Sequence, residues 1–373
     1  MTLRAQARVN LAAIERNVAR LGRELDGGGV CAVVKADAYG HGAAPVARAA
    51  LAGGAVRLAV VSAEEAAELR AAGISAPLLV MGAISSEELP VALASGAELV
   101  AWSERFVADV SAIASAPVGI HVKFDSGLGR LGTRDLTEAL AVARRVQAAG
   151  PALALVGAMT HLATADEDDL WFAEQQLAAF SEFAAQMRRL APGVVAHAAN
   201  SAATLRMPAS HFDLVRCGIA IYGCDPMHED PAARGLEPAL ELSSYLAAVK
   251  LARPGDSVGY GRRFVAARDT WIGTIPIGYG DGIRRELTNN CDVLIDGRRY
   301  PLVGTVSMDN ITIDLGAEPT ARIGAAATII GADGAERQTV EQLAKRVRTI
   351  NYELLCEISK RVPRFYHRDG QPL

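Results

Sequence analysis

The chain has 373 residues, half of them hydrophobic, with 38 Lys and Arg against 42 Asp and Glu and a formal net charge of −4. At roughly 150 residues per domain this is two domains, or one barrel with an appendage, and the apolar content excludes a mainly disordered chain. The slightly acidic balance argues against a nucleic-acid binder or a polybasic membrane anchor. From the start, Leu11, Ile14, Val18 and Leu21 fall at helical spacing within 10–23. A repeated rhythm follows: short apolar run, polar break, Ala-rich amphipathic stretch, Gly or Pro break. The apolar runs are Val30–Lys35, Leu58–Val61, Leu78–Met81, Leu99–Trp102, Val118–Phe124, Leu153–Met159, Val194–Ala198 and Leu214–Cys217. They are continuous rather than alternating, as strands buried on both faces of a parallel sheet require.

Between them, Ser62-Ala-Glu-Glu65 and Ser85-Ser-Glu-Glu88 fit the capping-box pattern. Thr133 opens another helical stretch, and Asp168 or Asp169 opens a long one. Eight strand–helix units spell a (β/α)8 TIM barrel over 1–235; a doubly wound open sheet is the alternative. After a linker marked by Pro226, Pro231, Gly235 and Pro238 the pattern changes. Leu240–Lys250, Trp271–Ile277, Val293–Ile295, Leu302–Val306, Ile311–Leu315 and Ala327–Ile330 read as strands of a mainly antiparallel β domain over 236–373. Asp296-Gly297 marks a hairpin, and TVEQLAKRVRT a closing helix.

The five cysteines, Cys31, Cys217, Cys224, Cys291 and Cys356, are scattered, with no C-x-x-C pair, which points to a reducing, cytoplasmic setting rather than a disulfide framework or zinc ribbon. The opening MTLRAQARVNLAAIERN has no apolar core, so no secretory signal is expected, and no apolar run approaches the ~18 residues of a membrane span.

Chemistry in a barrel gathers where strands end. The first apolar run ends at Lys35; desolvation would make such an amine a Schiff-base nucleophile, whereas a lysine snorkelling to the rim is the plainer alternative. The fifth ends in Lys123, Asp125 and Arg130 within a Gly-rich loop, either a ligand site or a rim salt bridge. The sixth ends at His161, followed by acids that suit a helix start better than a metal. No metal is expected. The seventh and eighth are followed by Asn200-Ser201 and by Gly218-Ile219, where barrels commonly bind phosphate, and Arg216 is a permanent cation in the mouth. A lysine with a phosphate cradle suggests pyridoxal phosphate, and no G-x-x-x-x-G-K-[ST] occurs.

VVKADAYGHG, KFDSGLGRLG, THLATAD, ANSAATL, VRCGIAIYG, VGYGRRF, PIGYGDG, SMDN and TINYELLCEISKRVPR together resemble the alanine racemase family of fold-type III pyridoxal-phosphate enzymes, in order and almost end to end. The resemblance implies a homodimer with shared sites, binding neither nucleic acid nor membrane, that interconverts L- and D-alanine and supplies D-alanine for peptidoglycan. A broad-specificity or serine racemase and a non-catalytic pyridoxal-phosphate carrier are the alternatives. It implies that Lys35 carries pyridoxal 5'-phosphate and is one base, and that Tyr260 from the partner subunit is the other. Arg216 would meet the pyridine nitrogen. Tyr39, Asn200, Ser201, Gly218, Ile219 and Tyr352 would lie around the phosphate and cofactor. Arg130 would touch the cofactor and, with Met308, the substrate carboxylate. Lys123 would be carbamylated and orient Arg130, His161 would support Tyr260 or Arg216, and Tyr279 and Asp309 would lie at the entrance, Asp309 also from the partner. Ser307 stands where many members carry cysteine.

Overall fold

In the computed structural model, which describes residues 3–373, all eight apolar runs are strands of one parallel sheet. Met1 and Thr2, at the head of the segment read for a secretory signal, lie outside the described residues. The first strand of the chain is one that periodicity passed over: β1 (Gln6–Asn10), which belongs to the second unit.

The barrel strands are β2 (Gly29–Val33), β3 (Arg57–Val60), β4 (Leu78–Val80), β5 (Glu98–Ala101), β6 (Val118–Lys123), β7 (Leu153–Met159), β8 (Val195–His197) and β9 (Leu214–Cys217). Each pairs in parallel with the next from β2 to β8, and β9 returns to pair with β2. No regular ladder joins β8 to β9. That seam closes through two backbone bonds, Asp213 N–H to Ala196 O at 3.1 Å and Arg216 N–H to Ala199 O at 3.0 Å. The runs are continuous because they are buried on both sides: Leu58, Val60, Leu79, Leu99, Ile120 and Val122 are inaccessible to solvent.

The intervening helices start where short polar side chains can meet orphan N–H groups. Ser62 forms a full capping box with Glu65 ahead of Ala63–Ala71. The Ser85 and Glu88 pattern forms its reciprocal bonds one turn early, inside the turn before Leu89–Ala94, so the helix itself begins at Glu88 without a side-chain cap. Asp135 rather than Thr133 caps Leu136–Ala148, because its carboxylate accepts the N–H groups of Thr137 and Glu138. Asp169 accepts from Trp171 N–H at the head of Trp171–Leu190. This longest helix buries Ala173, Leu177, Phe180, Ala184 and Met187 along one face. Among the described residues no helix is long and apolar enough to cross a membrane.

The second unit takes the described residues through Ala13, Tyr39–Gly42 and Tyr222–Leu373. Its main sheet runs in the order Arg298–Pro301, Asp292–Ile295, Ala326–Asp333, Leu240–Tyr245, β1, Arg364–Arg368, Gln371–Pro372, with Glu336–Gln338 paired to Ala326–Asp333. β1 is antiparallel to Leu240–Tyr245 and parallel to Arg364–Arg368, so one parallel pair sits in an otherwise antiparallel sheet. The run read as one strand over Leu240–Lys250 is two, Leu240–Tyr245 and Ala248–Ala252, in different sheets. Leu302–Val306 is not a strand: only Leu302 forms a bridge, to Ile313, and the backbone then leaves the sheet. The hairpin is as read. Asp296 (φ 50°) and Gly297 (φ 71°) both turn left-handed, which matches the twist of the strands they join.

Phe180 is inaccessible and meets Phe212 edge to face at 5.1 Å. Phe180→Ala is expected to destabilise the barrel by about 3–5 kcal/mol, read as a lower urea midpoint; an unchanged midpoint would show that the site refills.

Candidate active site

Beyond β2 the backbone does something L-residues avoid. From Ala36 through Tyr39, φ is 51°, 52°, 54° and 52°, a single left-handed turn built without glycine. Each such residue costs roughly 1–2 kcal/mol, so neighbours must hold it. Ala36 N–H donates to Glu65 Oε1 at 2.7 Å, Ala43 N–H donates to Asp37 Oδ1 at 2.8 Å, and Ala38 N–H to Val34 O at 3.0 Å. Glu65 thus caps its own helix and pins this turn. The turn begins directly at Lys35, two residues beyond the end of β2.

Arg216 lies in β9, 3 % exposed. Its Nη1 donates to His197 Nδ1 (2.9 Å) and His197 O (2.8 Å). Its Nη2 donates to Thr160 O (2.8 Å), Ala198 O (3.1 Å) and His161 Nδ1 (3.2 Å). These are the ends of β7 and β8, so the barrel seam itself grips the fork. The Nε–H makes no hydrogen bond among the described residues. Burial lowers the Arg216 pKa to about 10, which leaves it a cation at neutral pH.

Positive charge accumulates around it. Burial first, then Arg216 and Arg130, bring Lys123 down to about 8. His161 is held well below the usual imidazole range by desolvation, Arg216, Lys123, Arg130 and Lys35. The nearby acid is spent: Asp125 accepts from Gly129 N–H, Gly127 N–H and Arg134 Nε. Desolvation would raise the Asp125 pKa, but those donors win and keep it below the ordinary carboxylate range. Its cationic partner is therefore Arg134, and Arg130 stays exposed at the mouth.

On the seam side, the short helix Ser201–Arg206 and the 3-10 turn Ile219–Tyr222 start beside each other, because the N–H groups of Gly218 and Ala220 donate to Ser201 Oγ at 3.0 and 3.3 Å. Amides at turn starts suit an anion in general, and here those of Gly218, Ala220 and Ala203 are already engaged by Ser201 Oγ and Asn200 Oδ1. Asn200 caps the helix, its Oδ1 accepting from Ala203 N–H. A cation-rich mouth short of free anions, a paired set of turn starts and an unspent Nε–H together fit a phosphate-bearing heteroaromatic group. Among the described residues no group of three or more His, Cys, Asp or Glu side chains is placed to hold a metal ion.

The structure thus brings Lys35, Lys123, Arg130, His161, Asn200, Ser201, Arg216, Gly218 and Ile219 into the barrel unit, and places Tyr39, Tyr260, Tyr279, Met308, Asp309 and Tyr352 in the other. There Tyr39, nearly buried, packs against Tyr222 (4.9 Å) and Tyr352 (5.9 Å). Tyr260 is 74 % exposed in a turn whose carbonyl accepts from Thr305 Oγ1 at 2.6 Å, beside an open hollow of about 370 Å3 that Gly259, Ser307 and Asn310 help line. Tyr279 N–H donates to Ser307 O and Gly280 N–H to Met308 O, and Asp309 pairs with Arg361. Ser307 Oγ donates to Asn310 O at 2.7 Å, so a hydroxyl closes this loop. His197, the last residue of β8, lies one position inside the apolar run Val194–Ala198 and so does not stand out at the run's end. The signal was present: a histidine in a short buried strand needs a partner.

The family model for the N-terminal domain of alanine racemase matches residues 9–226, and that for its C-terminal domain matches 239–366. Alanine racemase of Thermobifida fusca is 42 % identical over 97 % of this chain and 98 % of its own. That of Geobacillus stearothermophilus is 42 % identical over 97 % and 93 %. Among solved structures, alanine racemase from Streptomyces lavendulae superposes with a TM-score of 0.92 at 36 % identity, covering 98 % of each chain. The Bacillus anthracis enzyme with bound L-Ala-P gives 0.91 at 36 %, covering 100 % of this chain and 97 % of that one.

Lys123 yields a pH prediction. Its folded pKa, about 8, lies below the ordinary 10.5, so between those values the unfolded chain binds more protons and stability rises with pH. Lys123→Met should remove that rise and be the more stable form below about pH 8, as urea midpoints measured across the range in carbon-dioxide-free buffer would read. Parallel curves for the two proteins would show that the amine titrates normally.

Proposed function

The chain belongs to the alanine racemase family, and we propose that it interconverts L- and D-alanine with pyridoxal 5'-phosphate as cofactor, supplying D-alanine for peptidoglycan. The observation that carries this reading is Arg216: a buried cation, fixed by five hydrogen bonds, with one donor unspent in a mouth that also holds Lys35. Pyridoxal phosphate, when bound, stores the electron pair that a Cα proton leaves behind.

The residues divide the remaining work. Lys35 Nζ holds the cofactor covalently and moves the Cα proton on one face. Tyr260 Oη, donated by a second copy of the chain, moves it on the other, since inversion needs an acid and a base on opposite sides of a planar centre. The exposure of Tyr260, with Met308 at 51 % and Tyr279 at 43 % also uncovered, supports a homodimer in which this face meets the second copy. Arg216 would hold the ring nitrogen through its Nε–H and, keeping its own proton at neutral pH, would not pass it on. His161, neutral, steadies Arg216. Ser201, Gly218 and Ile219, with Asn200 as the helix cap and Tyr39 and Tyr352 alongside, bind the phosphate. Arg130 and Met308 orient the substrate carboxylate, and Tyr279 and Asp309 stand at the entrance. Lys123, with part of its amine uncharged near neutrality, takes up carbon dioxide: Nζ attacks the carbon, a proton leaves, and a carbamate anion faces Arg130. Five scattered cysteines with no C-x-x-C pair suit a cytoplasmic enzyme.

An assay with each alanine enantiomer, with and without added cofactor, tests the activity, and a panel including serine tests its breadth. Lys35→Ala should abolish covalent cofactor binding. Tyr260→Phe should slow Cα proton exchange by about 10²–10⁴-fold from one enantiomer and much less from the other. Equal, mild losses from both would reject two bases on opposite faces.

A further inference from the structure

The interior of a barrel is ordinarily filled by layers of apolar side chains. Beneath Arg216 it is not. His197 Nδ1 accepts from Arg216, its Nε2 lies 2.8 Å from His121 Nδ1, and His121 Nε2 lies 2.8 Å from Glu98 Oε2. The two rings, both inaccessible to solvent, meet edge to face at 79°. Glu98, a quarter exposed at the start of β5, also pairs with Arg57.

The two ends dictate the direction of every bond. A guanidinium only donates and a carboxylate only accepts. Each ring must therefore carry its hydrogen on Nε2 and a lone pair on Nδ1. A protonated His197 would turn an N–H against the Arg216 N–H. Consistently, burial, Arg57 and Arg216 bring His121 down to about 3, and burial, then Arg216, hold His197 well below the imidazole range. Space for the chain is built into the strands. A Cβ on Gly157 would lie 1.8 Å from His121 Nδ1, and one on Gly119 would lie 2.8 Å from Glu98 Cγ. The β6–β7 register shifts between Ile120 and His121, beside Gly157. Glycine inside a strand weakens it, so its presence here marks a close approach.

A buried cation whose direct partners are carbonyls and imidazoles still lacks a counter-charge. We propose that Glu98 is the remote counter-anion of Arg216, a positioning residue that holds the guanidinium toward the cofactor ring through the one-way chain Arg216→His197→His121→Glu98. The effect on the cofactor rests on the reading above of where Arg216 points; the polarity of the chain does not.

Nitrogen-15 NMR of histidine-labelled protein, cofactor-free and loaded, tests the polarity. His121 and His197 should each show a protonated Nε2 and an unprotonated Nδ1 from about pH 5 to 8. A doubly protonated ring, or the opposite tautomer in either, overturns the chain. Glu98→Ala should move the absorption band of the bound cofactor and lower kcat about ten-fold, with KM for alanine within about two-fold. Glu98→Gln, which keeps an acceptor for the His121 Nε2–H but not the charge, should recover only part of both. If Glu98→Ala does not fold, Glu98→Gln carries the comparison: it should shift the His121 Nε2–H proton resonance upfield relative to wild type, and an unmoved resonance overturns the proposal. A folded Glu98→Ala with wild-type band and kcat also overturns it. Failure of the wild-type protein to racemise alanine would sink the functional reading while leaving the tautomers as the separate measure of the chain.

Discussion

A guanidinium with almost no exposed surface, fixed at the open seam of an eight-stranded barrel, is the constraint on which the rest depends. Arg216 cannot deprotonate to escape burial as a lysine could, so the fold must satisfy it where it stands. The carbonyls at the ends of β7 and β8 do so, and in doing so they close a seam that no regular ladder closes. One interaction thus stabilises the barrel and sets the electrostatic character of its mouth. The lowered pKa values of Lys123, His161 and His197 follow from their burial together with that fixed charge.

The left-handed turn after Lys35 is the second place where ordinary backbone preference is overruled. Four non-glycine residues in succession at positive φ would not persist in a free peptide. Glu65, from the next strand–helix unit, and the Asp37 side chain hold them. Strain of this kind concentrates at functional sites, and here it follows Lys35 directly. A single carboxylate that caps one helix and pins a neighbouring turn also ties two successive units of the barrel together.

The β unit works differently. Its sheet joins the two ends of the chain, with β1 between Leu240–Tyr245 and Arg364–Arg368, so long-range pairing rather than local propensity holds it. Its loops present Tyr260, Tyr279 and Met308 to solvent on a framework of short backbone bonds. Large exposed side chains on a well-fixed framework suit a surface completed by a second copy.

The amino-acid order alone carried the eight barrel strands, because burial on both faces demands unbroken apolar runs, and the hairpin at Asp296-Gly297, because two left-handed residues in a row favour that pair. It also carried the candidate residues at strand ends and the family motifs around them. It did not carry β1, whose alternate residues are buried only because strands hundreds of positions away cover them, nor the break of Leu240–Lys250 into two sheets. It was silent on the partnership of Asp125 with Arg134 and on the line from Arg216 through His197 and His121 to Glu98. Local periodicity reports how much of a residue is buried. Which donor meets which acceptor in the interior depends on strand register and on space left by glycines elsewhere, and those exist only once the barrel has closed.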